Sequence, residues 1–190
     1  MAAHLYLLRH GATEWSELGK HTSRTDLPLV ALGEQQAAAW RPVLSKVAFA
    51  RVLTSPLRRA RRTAELAGFG DAEVTPLLTE VDYGRDEGRT RDEIRAERPG
   101  WDFFANGGDG GEALAHAAGR AAQLIGELAA VAGDVLLVSH GHFLRVFAAT
   151  WIGETPDFGG HLLIGAGSVS ILGSEHGVCA IASWNLSAPR

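Results

Sequence analysis

The chain has 190 residues, 46% of them apolar and 21% charged, with a net charge of −4 at neutral pH. That size suits one domain able to bury most of the surface its unfolded form exposes, and the composition is that of an ordinary globule. The acidic balance argues against nucleic acid as the principal partner, and the single cysteine, Cys179, excludes an intrachain disulfide and disfavours a thiolate metal site.

The chain opens with a short apolar run, Leu5 to Leu8, of the length of a buried strand. It meets Arg9 too soon for a signal peptide, and no later stretch approaches a membrane span, so a cytoplasmic protein is expected. The run ends in Arg9-His10-Gly11. Arg9 brings a permanent charge and a fixed fork of donors suited to phosphate or carboxylate. His10 can serve as nucleophile, base or acid near neutral pH. Gly11 lets the backbone pass close to a ligand. Taken alone, the tripeptide reads more readily as a strand-ending turn.

Ser16 to Leu32 reads as a long polar connection, the kind that is usually functional or disordered. Ser16, Thr22, Ser23 and Arg24 could hold phosphate or hydroxyl groups there, or simply be solvated. Ala37, Trp40, Leu44 and Val47 recur at helical spacing over 34–47, with Pro42 expected to kink or split that helix. Arg51 to Thr54 reads as a strand, followed by Ser55 as N-cap and Pro56 at the first helical position. The opening turns of that helix carry Arg58, Arg59, Arg61 and Arg62, although a helix N-terminus disfavours cations. A bound anion would offset the conflict. Arg59 lies beside the apolar stripe and is the ligand candidate; the other three are expected on a solvated face, with Arg61 pairing Glu65.

Glu73 to Thr75 reads as a third strand and leads to Glu80, a carboxyl among apolar residues and a candidate proton donor. Thr90 to Arg98 reads as a short helix stopped by Pro99-Gly100. Trp101, Phe103 and Phe104 form an aromatic knot expected in the core, and 106–111 a flexible glycine-rich loop. Glu112 to Val131 is the clearest helix. Asp134 to Ser139 is the strongest strand, apolar enough to be covered on both faces. It ends in His140-Gly141-His142, and a helix from Phe143 to Trp151 places free backbone N–H groups beside His140 as an anion site. Residues 168–173 and 178–184 read as a closing hairpin.

Three strand ends thus present Arg9 with His10, Ser55 with Arg59, and His140 with Gly141. Two histidines, two arginines and a carboxyl suit a tetrahedral dianion. A metal at His10, His140 and His142 is not expected, because two arginines would repel a cation and no carboxylate lies close in sequence.

At these residues the chain resembles the histidine phosphatase superfamily, which includes cofactor-dependent phosphoglycerate mutases and many small phosphatases. The resemblance rests on Leu8-Arg9-His10-Gly11 with Thr13 and Trp15, on Asp26-Leu27-Pro28-Leu29 with Gly33 and Gln36-Ala37, and on Ser55 to Ala60 with Thr63-Ala64. It continues through Glu80, Tyr83-Gly84 and Glu87-Gly88 to Ser139-His140-Gly141-His142. It implies a three-layer α/β/α sandwich with a mostly parallel central sheet and helices on both faces, residues 1–190 forming one domain. It also implies a transient phosphohistidine. His10 matches the nucleophile; Arg9, Arg59 and His140 match groups binding the phosphoryl oxygens; Glu80 matches the proton donor. Ser16, Thr22 and the backbone of Gly141 and His142 match peripheral substrate-binding positions.

The chain departs from the family pattern at Ala12, Ser16, Ser23 and Asp86. It also lacks the segment in which classical mutases carry paired arginines for the substrate carboxylate. It therefore looks like an acid- or sugar-phosphatase, a phosphomonoester hydrolase acting on small phosphorylated metabolites without cofactor or metal. Mutase-type phosphoryl transfer and a non-catalytic phospholigand-binding regulator are the alternatives. The expected partner is a small phosphorylated substrate, not nucleic acid or membrane; oligomeric state, a homodimer included, is left open.

Overall fold

A computed structural model describes residues 4–188. Six strands form one sheet: β1 (Leu5–Arg9), β2 (Phe49–Thr54), β3 (Glu73–Val74), β4 (Asp134–Ser139), β5 (Val169–Glu175) and β6 (Val178–Leu186). Their order is β3-β2-β4-β1-β5-β6. The first four run parallel; β5 joins β1 antiparallel and turns back into β6. The mostly parallel sheet and the closing hairpin are therefore as the sequence indicates.

Alternation along the strands assigns the two faces. Leu5, Leu7, Val135 and Leu137 point to one side, where they pack with helices α7 (Leu114–Leu128) and α8 (Gly141–Trp151) and with the buried Trp101, Phe103 and Phe104. Leu8, Leu136 and Val138 point to the other, against Trp40, Leu44 and the alanines of α4 (Arg58–Leu66). A strand covered on both faces has no room for a polar residue, so polar chemistry is pushed to its ends. Among the described residues no helix is long and apolar enough to cross a membrane.

Several boundaries differ from the sequence reading for local reasons. The connection after β1 contains α1 (Glu14–Glu17), whose capping box ties Thr13 to Ser16. The 34–47 helix is split, as Pro42 implies, into α2 (Ala31–Ala38), which starts earlier than expected, and α3 (Arg41–Leu44), with Pro42 in its first turn. Ser55 does not cap α4: that helix begins at Arg58 after Leu57, and Asp26 from the distant loop accepts from the Arg58 N–H at 2.8 Å. That carboxylate also answers the conflict of cations at a helix N-terminus. Arg62, not Arg61, pairs Glu65, at 3.0 Å, and also Glu34, at 2.9 Å. The charged helix is α5 (Arg91–Glu97), closed by a Thr90–Glu93 capping box, and α6 (Phe103–Asn106) is a single turn. The glycine-rich loop is not free. A Cβ on Gly108 would lie 2.5 Å from the Tyr83 carbonyl oxygen, and the Asp109 N–H is held by Asp86 at 2.9 Å.

Gly11 and Gly33 explain each other. A Cβ on Gly11 would lie 2.2 Å from the Gly33 oxygen, and one on Gly33 would lie 2.1 Å from the Ala12 oxygen. The loop after His10 and the first turn of α2 therefore touch backbone to backbone, with Gln36 accepting from the Ala12 N–H at 2.9 Å. Gly11→Ala should destabilise the fold by about 1–3 kcal/mol, the usual range for overpacking. A lowered urea midpoint at unchanged slope is the expected result; an unchanged midpoint contradicts this packing.

Candidate active site

The parallel register brings three strand ends side by side. Arg9 pairs with Ser139 across β1 and β4, and Thr54 pairs with Val138 across β2 and β4. The chain then leaves each strand through one more ladder bond: His10 N–H to the Ser139 oxygen at 2.9 Å, and Ser55 N–H to the Val138 oxygen at 3.0 Å. His10, Ser55 and His140 are thereby fixed at one edge, where loops of an open α/β sheet converge.

His10 is 5% exposed. Its Nδ1 lies 2.8 Å from the Gly11 carbonyl, which can only accept, so Nδ1 carries the proton and Nε2 keeps a lone pair. That nitrogen makes no hydrogen bond among the described residues, and the ring lines a cavity of about 190 Å³. Burial and the charges of Arg59 and Arg9 hold the His10 pKa well below its ordinary value, so the ring is neutral.

Arg9 lines the same cavity. It donates from Nη1 to the Ile164 oxygen at 2.6 Å, while its Nε is buried without a partner. Unpaired buried donors are rare and call for an acceptor. The guanidinium rests on the first turn of α8, where a Cβ on Gly141 would lie 3.2 Å from Arg9 Cζ.

Arg59 and His140 lie one layer deeper, both fully buried. Arg59 Nε donates to His140 Nδ1 at 3.2 Å. Its Nη1 donates to the Thr25 oxygen at 3.0 Å, and its Nη2 to the oxygens of Thr22 at 3.2 Å and Ser23 at 3.1 Å. Since His140 Nδ1 accepts, its Nε2 carries the proton and donates to Ser55 Oγ at 2.7 Å. The rings of His10 and His140 are 5.1 Å apart. Burial, Arg59 and His10 push the His140 pKa well down, so both rings are neutral.

Glu80 is where the free anion site beside His140 was expected. Its Oε1 accepts from Phe143 N–H at 2.8 Å and from Val81 N–H at 3.0 Å, and its Oε2 from His142 N–H at 3.1 Å. The first turn of α8 starts two residues earlier than the sequence suggests and is already occupied by this carboxyl. Ser139 Oγ donates to the Leu78 oxygen at 2.6 Å and ties the Glu80 segment to β4.

Ser16 and Thr22 both line the cavity, but their hydroxyls are engaged locally: Ser16 Oγ donates to the Thr13 oxygen at 2.9 Å, and Thr22 Oγ1 to the Lys20 oxygen at 3.1 Å. Gly141 and His142 line it as well. The sequence reading missed Thr13, Lys20, His21, Tyr83 and Arg145 as cavity residues. Arg145 was legible, lying one helical turn beyond Gly141 on the same face. Tyr83 OH contacts His142 Nδ1 at 2.5 Å, with the phenol pKa raised well above its usual value by burial and Glu80 and the His142 pKa pushed well down by burial and Arg145. Phe103 stacks on His142 with centroids 4.3 Å apart, so the aromatic knot is core and cavity wall at once.

The loop over the site is gripped from two sides. Arg59 takes its carbonyls, and the Glu87 carboxylate accepts from Ser23 N–H at 2.9 Å and Thr25 N–H at 3.0 Å. A larger groove, of about 400 Å³, runs along α4 by Arg58, Arg61 and Phe69, but contains none of the strand-end histidines. The smaller cavity is the one with desolvated titratable groups and an orphaned donor, the marks of a functional site.

A family model for the histidine phosphatase superfamily (branch 1) matches residues 5–187. An acid phosphatase from Mycobacterium tuberculosis is 39% identical over 187 residues, covering 96% of this chain and 92% of the relative. A sedoheptulose 1,7-bisphosphatase from Saccharomyces cerevisiae is 32% identical over 181 residues, covering 77% of this chain and 66% of the relative. The solved structure of an open reading frame from Mycobacterium tuberculosis superposes with a TM-score of 0.94 at 37% identity, over 100% of both chains.

The lowered pKa values of His10, His140 and His142 make stability depend on pH. Below about pH 6.5 the unfolded chain takes up protons at these rings and the folded chain does not. Unfolding free energy should then fall by roughly 1.4 kcal/mol per pH unit for each ring. Urea midpoints should drop steadily from about pH 7 to 5, and His142→Asn should flatten the decline; a level profile contradicts three neutral imidazoles.

Proposed function

The chain belongs to the histidine phosphatase superfamily and is a phosphatase, and we propose that it hydrolyses small phosphorylated metabolites, sugar phosphates among them, through a phosphohistidine on His10. The observation that carries this reading is the neutral His10 ring, whose Nε2 makes no hydrogen bond among the described residues, lining the same cavity as Arg9 with its orphaned Nε. A phosphoryl group is the ligand that needs both a donor fork and a nucleophile. The acid phosphatase and the sugar bisphosphatase among the relatives support the substrate class.

In the proposed sequence, Arg9 binds the phosphoryl oxygens and removes the repulsion that would meet an incoming lone pair. His10 Nε2 attacks phosphorus as the ester P–O bond breaks. Glu80 passes a proton to the departing oxygen. Water then attacks phosphohistidine, giving its proton back to Glu80, and inorganic phosphate leaves with His10 restored. Arg59 and His140 support the transferring group from below, Arg59 chiefly by its charge, since four of its N–H groups already hold the loop and His140. Ser16, Thr22, Gly141 and His142 shape the space for the leaving group.

Glu80 gives the direct test. An alkoxide leaves poorly and gains about 10²–10⁴-fold from general-acid help, whereas an activated aryl oxide gains little. Glu80→Gln should therefore depress kcat/KM for a sugar phosphate far more than for nitrophenyl phosphate. Equal losses on both substrates contradict the proton-donor role, and absence of hydrolysis of either by the unaltered protein contradicts the function.

A further inference from the structure

Arginines away from the cavity are mostly neutralised. Arg24 meets Asp82, Arg51 meets Glu73, and Arg120 meets Glu112. The four cations around the cavity are different. Arg9, Lys20, Arg59 and Arg145 form no ion pair with a carboxylate among the described residues, although each is partly or fully buried. Among the described residues Glu80 is the only carboxyl lining the cavity. Arg9 is accounted for by one phosphoryl group, and Arg59 by the loop carbonyls and the imidazole it already holds. Lys20 and Arg145 are not.

Arg145 reaches the cavity from α8. Its Nε and Nη2 donate to the oxygens of Gly159 at 2.7 Å and Gly160 at 3.0 Å, and its guanidinium lies 4.2 Å from the centre of the Phe104 ring. Its Nη1 makes no hydrogen bond among the described residues. Burial lowers its pKa to about 10, which leaves it charged at neutral pH. Lys20 lines the cavity from the loop after α1, its ammonium 5.8 Å from the centre of the Trp15 ring and without a hydrogen-bond acceptor among the described residues. Both residues are partly buried and neither makes an ion pair among the described residues, so each can give a charge-assisted hydrogen bond to an anion in the cavity.

We propose that Arg145 and Lys20 form a second anion subsite in this cavity, so that the substrate carries a carboxylate or a second phosphate besides the phosphoryl group transferred to His10. The subsite deepens the phosphatase reading and rests on it for the first phosphoryl position. It stands in a different part of the chain from the mutase arginines that the sequence lacks.

The test compares three probes: glycerol 1-phosphate, with a neutral remainder; 3-phosphoglycerate, with a carboxylate; and fructose 1,6-bisphosphate, with a second phosphate. For the unaltered protein, kcat/KM should favour at least one doubly anionic probe over glycerol 1-phosphate by roughly tenfold, the scale of one charge-assisted hydrogen bond. The favoured probe identifies the second anion. In Lys20→Gln and Arg145→Gln that ratio should fall toward one. The ratio is internal to each variant, so a general loss of activity does not imitate the effect, and Lys20→Gln alone decides if Arg145→Gln fails to fold. A ratio near one in the unaltered protein, or one that Lys20→Gln leaves unchanged, overturns the subsite. Calorimetric Kd values for the same probes separate the two proposals: preferential binding without hydrolysis upholds the subsite and contradicts the phosphatase reading.

Discussion

The guanidinium of Arg59 is the group on which the site depends. It is fully buried, at the start of a helix, where both burial and the helix dipole oppose a cation. What holds it there is a set of four acceptors: three carbonyls of the 22–25 loop and the unprotonated nitrogen of His140. Asp26, from the end of the same loop, caps the helix that carries it. The loop is thus folded around the charge, with Glu87 taking the N–H groups whose carbonyls face Arg59. Removing the charge would leave three carbonyls and an imidazole facing one another without a donor.

The same charge sets the state of the histidines. Positive potential from Arg59 and Arg9, added to burial, keeps His10 and His140 neutral, and the carbonyl of Gly11 then selects which nitrogen of His10 bears the proton. Nucleophilicity is a consequence of position rather than of an added base. A dianionic ligand would reverse part of that potential, which favours phosphoryl binding and the charge shift onto His10 during transfer alike.

Much of this was legible in the chain. The apolar runs Leu5 to Leu8 and Val135 to Val138 mark strands covered on both faces, and their polar ends mark the catalytic edge. What the sequence could not supply were contacts between loops distant along the chain. Ser55 has the form of a helix cap, yet its hydroxyl is turned to His140, and the cap comes from Asp26. The glycine-rich segment 106–111 reads as flexible by composition, but its glycines permit close backbone contact with 82–84. Glu80 was legible as a carboxyl among apolar residues; that it would occupy the first turn of α8 was not, because nothing local links positions 80 and 143. Arg145 and Lys20 look like ordinary surface cations until the cavity brings them to one space.

The central claim is that His10 carries the phosphoryl group. Rapid acid-free quenching during turnover of a radiolabelled phosphomonoester, followed by peptide mapping, tests it directly. The account predicts an adduct that is labile to acid, stable to base, located on the peptide containing His10 and absent from His10→Ala. A base-labile adduct, or one that persists in His10→Ala, would contradict it.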